Sequence, residues 1–212
     1  VTDLQALVVD FGGVLTSNLS SAMDGWLAAD DVDPAQFRGV MRAWLTPGAA
    51  SNPVHGLETG ALPGPEFERA LAARLTNRAG APVVAEGLLQ RMFAAFAAEP
   101  DMYALLARAR SAGVRTALLS NSWGNTYPAE ELAPLFDLQV ISGEVGLRKP
   151  DPAIYLLTAE RLGLPPSACV FVDDLGPNVR AAVDVGMVGV RHVDAATTIA
   201  EVAALFDWPA AR

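Results

Sequence analysis

The chain has 212 residues, 51% hydrophobic and 18% charged, with a formal net charge of −9 at pH 7. That length suits one large domain, or one with a smaller insert, and the hydrophobic fraction excludes a disordered chain. The acidic balance argues against nucleic acid as a partner, since a phosphate backbone wants a basic face; it leaves room for a small phosphorylated molecule at a local cationic site. A single cysteine, Cys169, excludes an internal disulfide. No secretory pattern opens the chain and no apolar run nears the ~18 residues of a membrane span, so the expected setting is a reducing cytoplasm without a membrane partner. Nothing in the pattern specifies an oligomeric state.

Residues 7–15, LVVDFGGVL, read as a strand buried on both faces that runs into Asp10 and then turns at Gly12 and Gly13. Such a run suits a parallel sheet, and the glycines let the backbone approach a ligand closely. Over residues 16–98 the spacing becomes helical. Leu89, Met92, Phe93 and Phe96 fall at i, i+3, i+4, i+7, and Phe67, Ala70, Leu71 and Leu75 make another face. Asp33-Pro34 is a helix start. About four helices are expected here, with a Gly/Pro-rich irregular loop over 46–65 and no strand.

From residue 100 strands and helices alternate. Helices are expected over 101–112, weakly over 129–135, from Asp151-Pro152 to about 162, over 177–185 and over 195–205. Strands are expected over 114–119, 138–141, 169–172 and 187–190. Alternation of this kind implies βαβ units and a parallel sheet. The expected architecture is a doubly wound, Rossmann-like α/β core of residues 1–15 and 99–212, with a helical cap of residues 16–98 inserted after the first strand.

Polar residues recur where strands of that sheet end. Asp10 ends the first, Ser120 and Asn121 the second, and Asp173-Asp174 a later one, while Lys149 precedes a helix. Strand ends of one parallel sheet share an edge, so these groups can converge. Adjacent carboxylates repel unless a cation intervenes, and two or three with a backbone carbonyl suit Mg²⁺. A lysine and a hydroxyl–amide pair suit phosphoryl oxygens. Taken singly, each is equally a turn, a cap or a solvated charge; it is their joint placement that points to a site.

Asp10 to Leu15, Leu119-Ser120-Asn121, Lys149-Pro150 and Val172-Asp173-Asp174 resemble the four motifs of the haloacid dehalogenase-like hydrolase superfamily. The runs 146–155 and 171–178 are similar to its branch with the phosphatase-like domain of soluble epoxide hydrolase and the hydrolase-like domain of some acyl-CoA dehydrogenases. Sugar-1-phosphate phosphatases of the superfamily are also similar. The resemblance implies Mg²⁺-dependent phosphoryl transfer. Asp10 would be the nucleophile, forming an aspartyl-phosphate. Asp10, the Gly12 carbonyl, Asp174 and Asp173 would hold the metal. Ser120, Asn121 and Lys149 would hold the phosphoryl group beside the Gly12-Gly13 backbone. Asn178 would position the acidic pair.

One position departs from the pattern. Family phosphatases carry a second aspartate two residues after the nucleophile, as acid and then base, and here that residue is Gly12. The expectation is a slow enzyme, with a donor from the cap (Asp24, Glu58 or His55) or with turnover limited by hydrolysis of the aspartyl-phosphate. Two alternatives stay open: a metal-independent haloacid dehalogenase, and a weakly catalytic binding or regulatory protein.

Overall fold

The structure is a computed structural model that describes residues 3–46, 52–124 and 127–209, with residues 19–22 described by backbone alone. Five strands form one parallel sheet: β1 (Ala6–Val9), β2 (Arg115–Ser120), β3 (Leu138–Ile141), β4 (Cys169–Asp173) and β5 (Val188–Arg191). Their spatial order is β3-β2-β1-β4-β5. β1 is central, pairing Val9 with Leu118 on one side and with Val172 on the other. The order reverses on either side of β1, and at such a switch point a crevice opens beyond the strand ends.

Five helices, α1 (Leu19–Ala29), α2 (Pro34–Leu45), α3 (Pro53–Glu58), α4 (Gly64–Ala72) and α5 (Leu88–Phe93), lie between β1 and α6 (Pro100–Ser111). After β2 come α7 (Ala129–Leu132) and, after β3, α8 (Ser142–Val145). The chain then runs through α9 (Pro152–Leu162), α10 (Gly176–Asp184) and α11 (Ala195–Leu205). Successive strand residues point to opposite faces. Leu7, Val9, Leu118, Val170 and Val172 pack with Met102, Leu105 and Leu106 of α6 and Val202 of α11. Ala6, Val8, Ala117, Leu119 and Phe171 pack with Ile154, Tyr155 and Ala159 of α9 and Ala182 of α10. The doubly wound α/β core is therefore as expected.

The helices between β1 and α6 bury a core of their own, with Trp26, Trp44, Phe67, Leu71 and Met92 inside it. The chain enters and leaves this unit side by side. Thr16 and Ala98 form an antiparallel bridge, flanked by Ser17 N donating to Ala97 O at 2.8 Å and Glu99 N to Leu15 O at 2.9 Å.

Two expectations need revision. The irregular stretch of 46–65 contains α3, and residues 47–51 of it lie outside the described residues. Asn52 caps α3, its side chain accepting from His55 N, and Pro53 takes the first turn. At six residues the helix is too short to show a period. The weak helix over 129–135 is α7 followed by a 3₁₀ turn over Ala133–Leu135. Pro134 has no N–H to continue an α-helix there.

Candidate active site

β1 and β4 end side by side, so the residues beyond Val9 and Val172 become neighbours; Asp10 N donates to Val172 O at 2.9 Å. The carboxylates of Asp10, Asp173 and Asp174 each offer an oxygen within 4.8 Å of the others. Lys149 reaches the same place from the loop before α9 and is only 1% exposed. Its ammonium lies 2.8 Å from Asp10 Oδ1 and 2.7 Å from Asp173 Oδ2. Asp173 is held in place by Leu175 N at 2.8 Å and by Asn178 Nδ2, 3.1 Å from each of its oxygens. Asn178 of α10 and the backbone of Leu175 thus fix the Asp173 carboxylate.

Three carboxylates crowd one ammonium, with Asp10 and Asp173 buried and Asp174 half-buried. The electrostatics record the imbalance. Burial, then the neighbouring Asp173, push the Asp10 carboxyl up to about 7, against the pull of Lys149. Burial and Asp173 also raise Asp174. Burial works against the Lys149 ammonium, but Asp10 and Asp173 outweigh it and hold the lysine above its ordinary value. Crowded hard oxygen donors with more carboxylates than cations among them fit a divalent cation such as Mg²⁺.

The turn at residues 12–13 is shaped around that cluster. Gly13 has φ +76°, and a Cβ on it would stand 2.7 Å from Asp174 Oδ2. Gly13→Ala combines left-handed strain of about 1–2 kcal/mol with displacement of the Asp174 carboxylate. The expected result is a lower melting temperature and a smaller stabilisation by Mg²⁺ than in the wild type, both read in one thermal titration.

Ser120 and Asn121, at the end of β2, do different jobs. Ser120 Oγ accepts from Tyr127 Oη at 2.9 Å, which turns its own hydroxyl proton elsewhere. Burial pushes the Tyr127 phenol up to about 12, so it stays a donor. The Asn121 side chain, expected on phosphoryl oxygens, instead clamps the Lys149 backbone: Oδ1 accepts from Lys149 N at 2.8 Å and Nδ2 donates to Lys149 O at 3.0 Å. One amide N–H is left for anything else.

Two participants were missed by sequence reasoning. Tyr127 sits in a loop with no periodicity and left no signal. Arg148, next to Lys149, pairs through its Nε with Glu58 Oε2 of α3. Glu58 Oε1 accepts from Trp123 Nε1 at 3.1 Å, and its backbone carbonyl accepts from Ser142 Oγ. Gly60, just beyond α3, approaches so closely that a Cβ would stand 2.5 Å from Gly143 O. The helical unit is thereby pinned to the loops carrying Lys149 and Asn121. Of the three cap residues considered as proton donors, Glu58 lines the site cavity, while Asp24 is exposed and His55 is not among the described lining residues. Both Glu58 oxygens are already engaged.

A cavity of about 340 Å³ opens from this cluster toward the helical unit, bordered by Asp10, Gly12, Asn121, Lys149 and Asp174. Gly12 faces open space: a Cβ there would meet nothing within 4 Å. Among the described residues, no helix is long and apolar enough to cross a membrane.

Comparison with known proteins agrees with this geometry. The chain is 27% identical over 213 residues to the bifunctional epoxide hydrolase 2 of Sus scrofa, covering 93% of this chain and 38% of that protein. It is 35% identical over 147 residues to a phosphoserine phosphatase of Thermus thermophilus, covering 65% of this chain and 58% of that one. The chain thus spans less than two thirds of the length of either relative. A family enzyme from Bacteroides thetaiotaomicron, solved in complex with magnesium and inorganic phosphate, shares the fold with a TM-score of 0.65 at 20% identity, covering 89% of this chain and 93% of that one. The model of the haloacid dehalogenase-like hydrolases matches residues 4–186, and the chain belongs to that family.

Proposed function

We propose that this chain is a Mg²⁺-dependent phosphomonoester hydrolase acting on a small molecule through an aspartyl-phosphate on Asp10. The observation that carries the reading is the cluster itself: carboxylate oxygens of Asp10, Asp173 and Asp174 within 4.8 Å of one another, with Lys149 bridging Asp10 and Asp173. Hydrolysis of a dehalogenase's ester intermediate can use one further carboxylate as a base, whereas two beside the nucleophile suit a divalent cation. The phosphatase relative and the same-fold enzyme seen with magnesium and inorganic phosphate agree with it.

In this reading Asp10, Asp174, Asp173 and the Gly12 carbonyl hold the cation, which supplies charge neutralisation for the phosphoryl oxygens. An Asp10 carboxylate oxygen bonds to phosphorus as the ester P–O bond breaks, and the leaving alkoxide takes its proton from water. Lys149, the Ser120 hydroxyl, the spare Asn121 N–H and the Gly12-Gly13 backbone hold the phosphoryl group. Water then hydrolyses the aspartyl-phosphate and frees Asp10. Catalysis rests on positioning and electrostatic stabilisation. Residues 16–98 act as a cap over a core of 1–15 and 99–212, joined through the antiparallel bridge at Thr16 and Ala98, and the cap sets specificity. The work of this unit on a small molecule fits a chain that binds neither nucleic acid nor membrane.

The test is a screen of phosphate esters with Mg²⁺ and with chelator. Hydrolysis that needs the metal supports the reading; halide release from 2-haloacids that survives the chelator favours a dehalogenase. The metal also has a stability signature. At a hundred times its dissociation constant a ligand stabilises by about 2.7 kcal/mol, or ~5–10 °C for a chain of this size. A Mg²⁺-dependent rise of that order in the melting temperature is expected. No rise at millimolar Mg²⁺ would remove the cation from the site.

A further inference from the structure

We propose, resting on the phosphatase reading, that the substrate is a phosphate monoester whose organic part is uncharged and apolar. The cavity leading from Asp10 decides this. Its far wall is built from Phe37, Met41 and Leu45 of α2, from Phe93 and Phe96, and from Trp123. Phe93 and Phe96 stack face to face, with centroids 5.3 Å apart and planes 9° from parallel. Leu45 and Leu175 extend the apolar lining to the mouth, where they are 49% and 52% exposed. An apolar wall of this extent gains by excluding water with a ligand of like character.

The polar inventory points the same way. Among the described lining residues the only cation is Lys149, and two carboxylates already hold it. Glu58 is bound to Arg148 and Trp123, Asn178 to Asp173, Tyr127 to Ser120 and Asn121 to the Lys149 backbone. Residues 47–51 and 125–126, outside the described set, contain no ionisable side chain. Among the described lining residues, a second anionic group on the substrate would therefore meet carboxylates and no unpaired cation. Among the described lining residues, sugar or amino-acid hydroxyls and charges would lose water without gaining partners, and a site rejects such groups strongly. The inference thus departs from the substrate named for the Thermus relative, phosphoserine.

The experiment uses the full chain with Mg²⁺ and a series of n-alkyl phosphates from ethyl to hexyl, against phosphoserine and glycerol phosphate. Each methylene buried should raise kcat/KM about fourfold until the cavity is full. The polar esters should fall at least tenfold below the alkyl ester of equal length. A flat series, or preference for the polar esters while hydrolysis still requires Mg²⁺, overturns this inference and leaves the phosphatase reading intact. Non-hydrolysable n-alkylphosphonates, whose binding is read by thermal shift, separate the two claims. If no ester is turned over, the phosphatase reading fails. The ligand class is then judged on the phosphonates: affinity that rises with chain length supports it, and equal affinity overturns it. Leu45→Glu puts a carboxylate at the mouth at a site exposed enough to tolerate it. The dependence on chain length should drop below twofold per methylene, and an unchanged dependence counts against the proposal.

Discussion

Asp10→Asn eliminates phosphate-ester hydrolysis, with an expected fall in kcat/KM of about 10⁴–10⁶-fold. The amide has the shape of the carboxylate but cannot form the acyl-phosphate. The loss should come without unfolding. Lys149 keeps Asp173 as a partner at 2.7 Å, and the variant sheds one of three crowded carboxylates. A melt of the metal-free protein checks this. In the wild type the Asp10 carboxyl is raised from 3.8 to about 7, chiefly by burial. The folded state binds that proton more tightly than the unfolded chain. The stability it contributes is full below pH 3.8 and is lost as pH rises through about 7. In chelator the wild type should lose stability between about pH 4 and 7 at this site, and Asp10→Asn should lose less. Retained hydrolysis in Asp10→Asn would exclude Asp10 as nucleophile.

Gly12→Asp raises turnover. A positioned acid–base group contributes about 10²–10⁴-fold, and the family resemblance assigns that task to the residue two places after the nucleophile. The structure accepts the change: Gly12 has no left-handed φ, and its Cβ would meet nothing within 4 Å. Gly12 also borders the cavity, so the new carboxyl stands where a leaving group departs. The gain should appear in kcat for poor leaving groups such as alkoxides more than for nitrophenolate, which needs little protonation. Gly12→Asn, similar in size but unable to shuttle a proton, should give no gain. Rapid-quench kinetics locate the present bottleneck. A burst of leaving group followed by slow turnover means that hydrolysis of the aspartyl-phosphate limits the wild type, and Gly12→Asp should abolish the burst. No gain with any leaving group would mean that the site obtains its proton elsewhere.

The two variants probe different levels of the molecule. Asp10 and Asp173 were legible from local pattern, because each ends an apolar run that reads as a buried strand, and Asp174 follows directly. Lys149 and Asn121 were legible as residue types, but the clamp of the Asn121 amide on the Lys149 backbone was not. That contact joins loops 28 residues apart and leaves no local trace. Glu58 was picked as a proton donor from chemistry alone. Its burial beside Arg148 and Trp123 shows a carboxylate committed to holding the helical unit against the sheet edge.

Strand identity, helix faces and strand-end carboxylates follow from the sequence by itself, since the period of apolar residues and the turn chemistry of glycine and proline act within a few residues. The strand order around β1, the convergence of three carboxylates at one place with Lys149 between two of them, and the apolar cavity wall assembled from α2, Phe93, Phe96 and Trp123 were decided only by the tertiary structure. These depend on which buried surfaces exclude water together, and that is settled by packing between segments far apart in the chain.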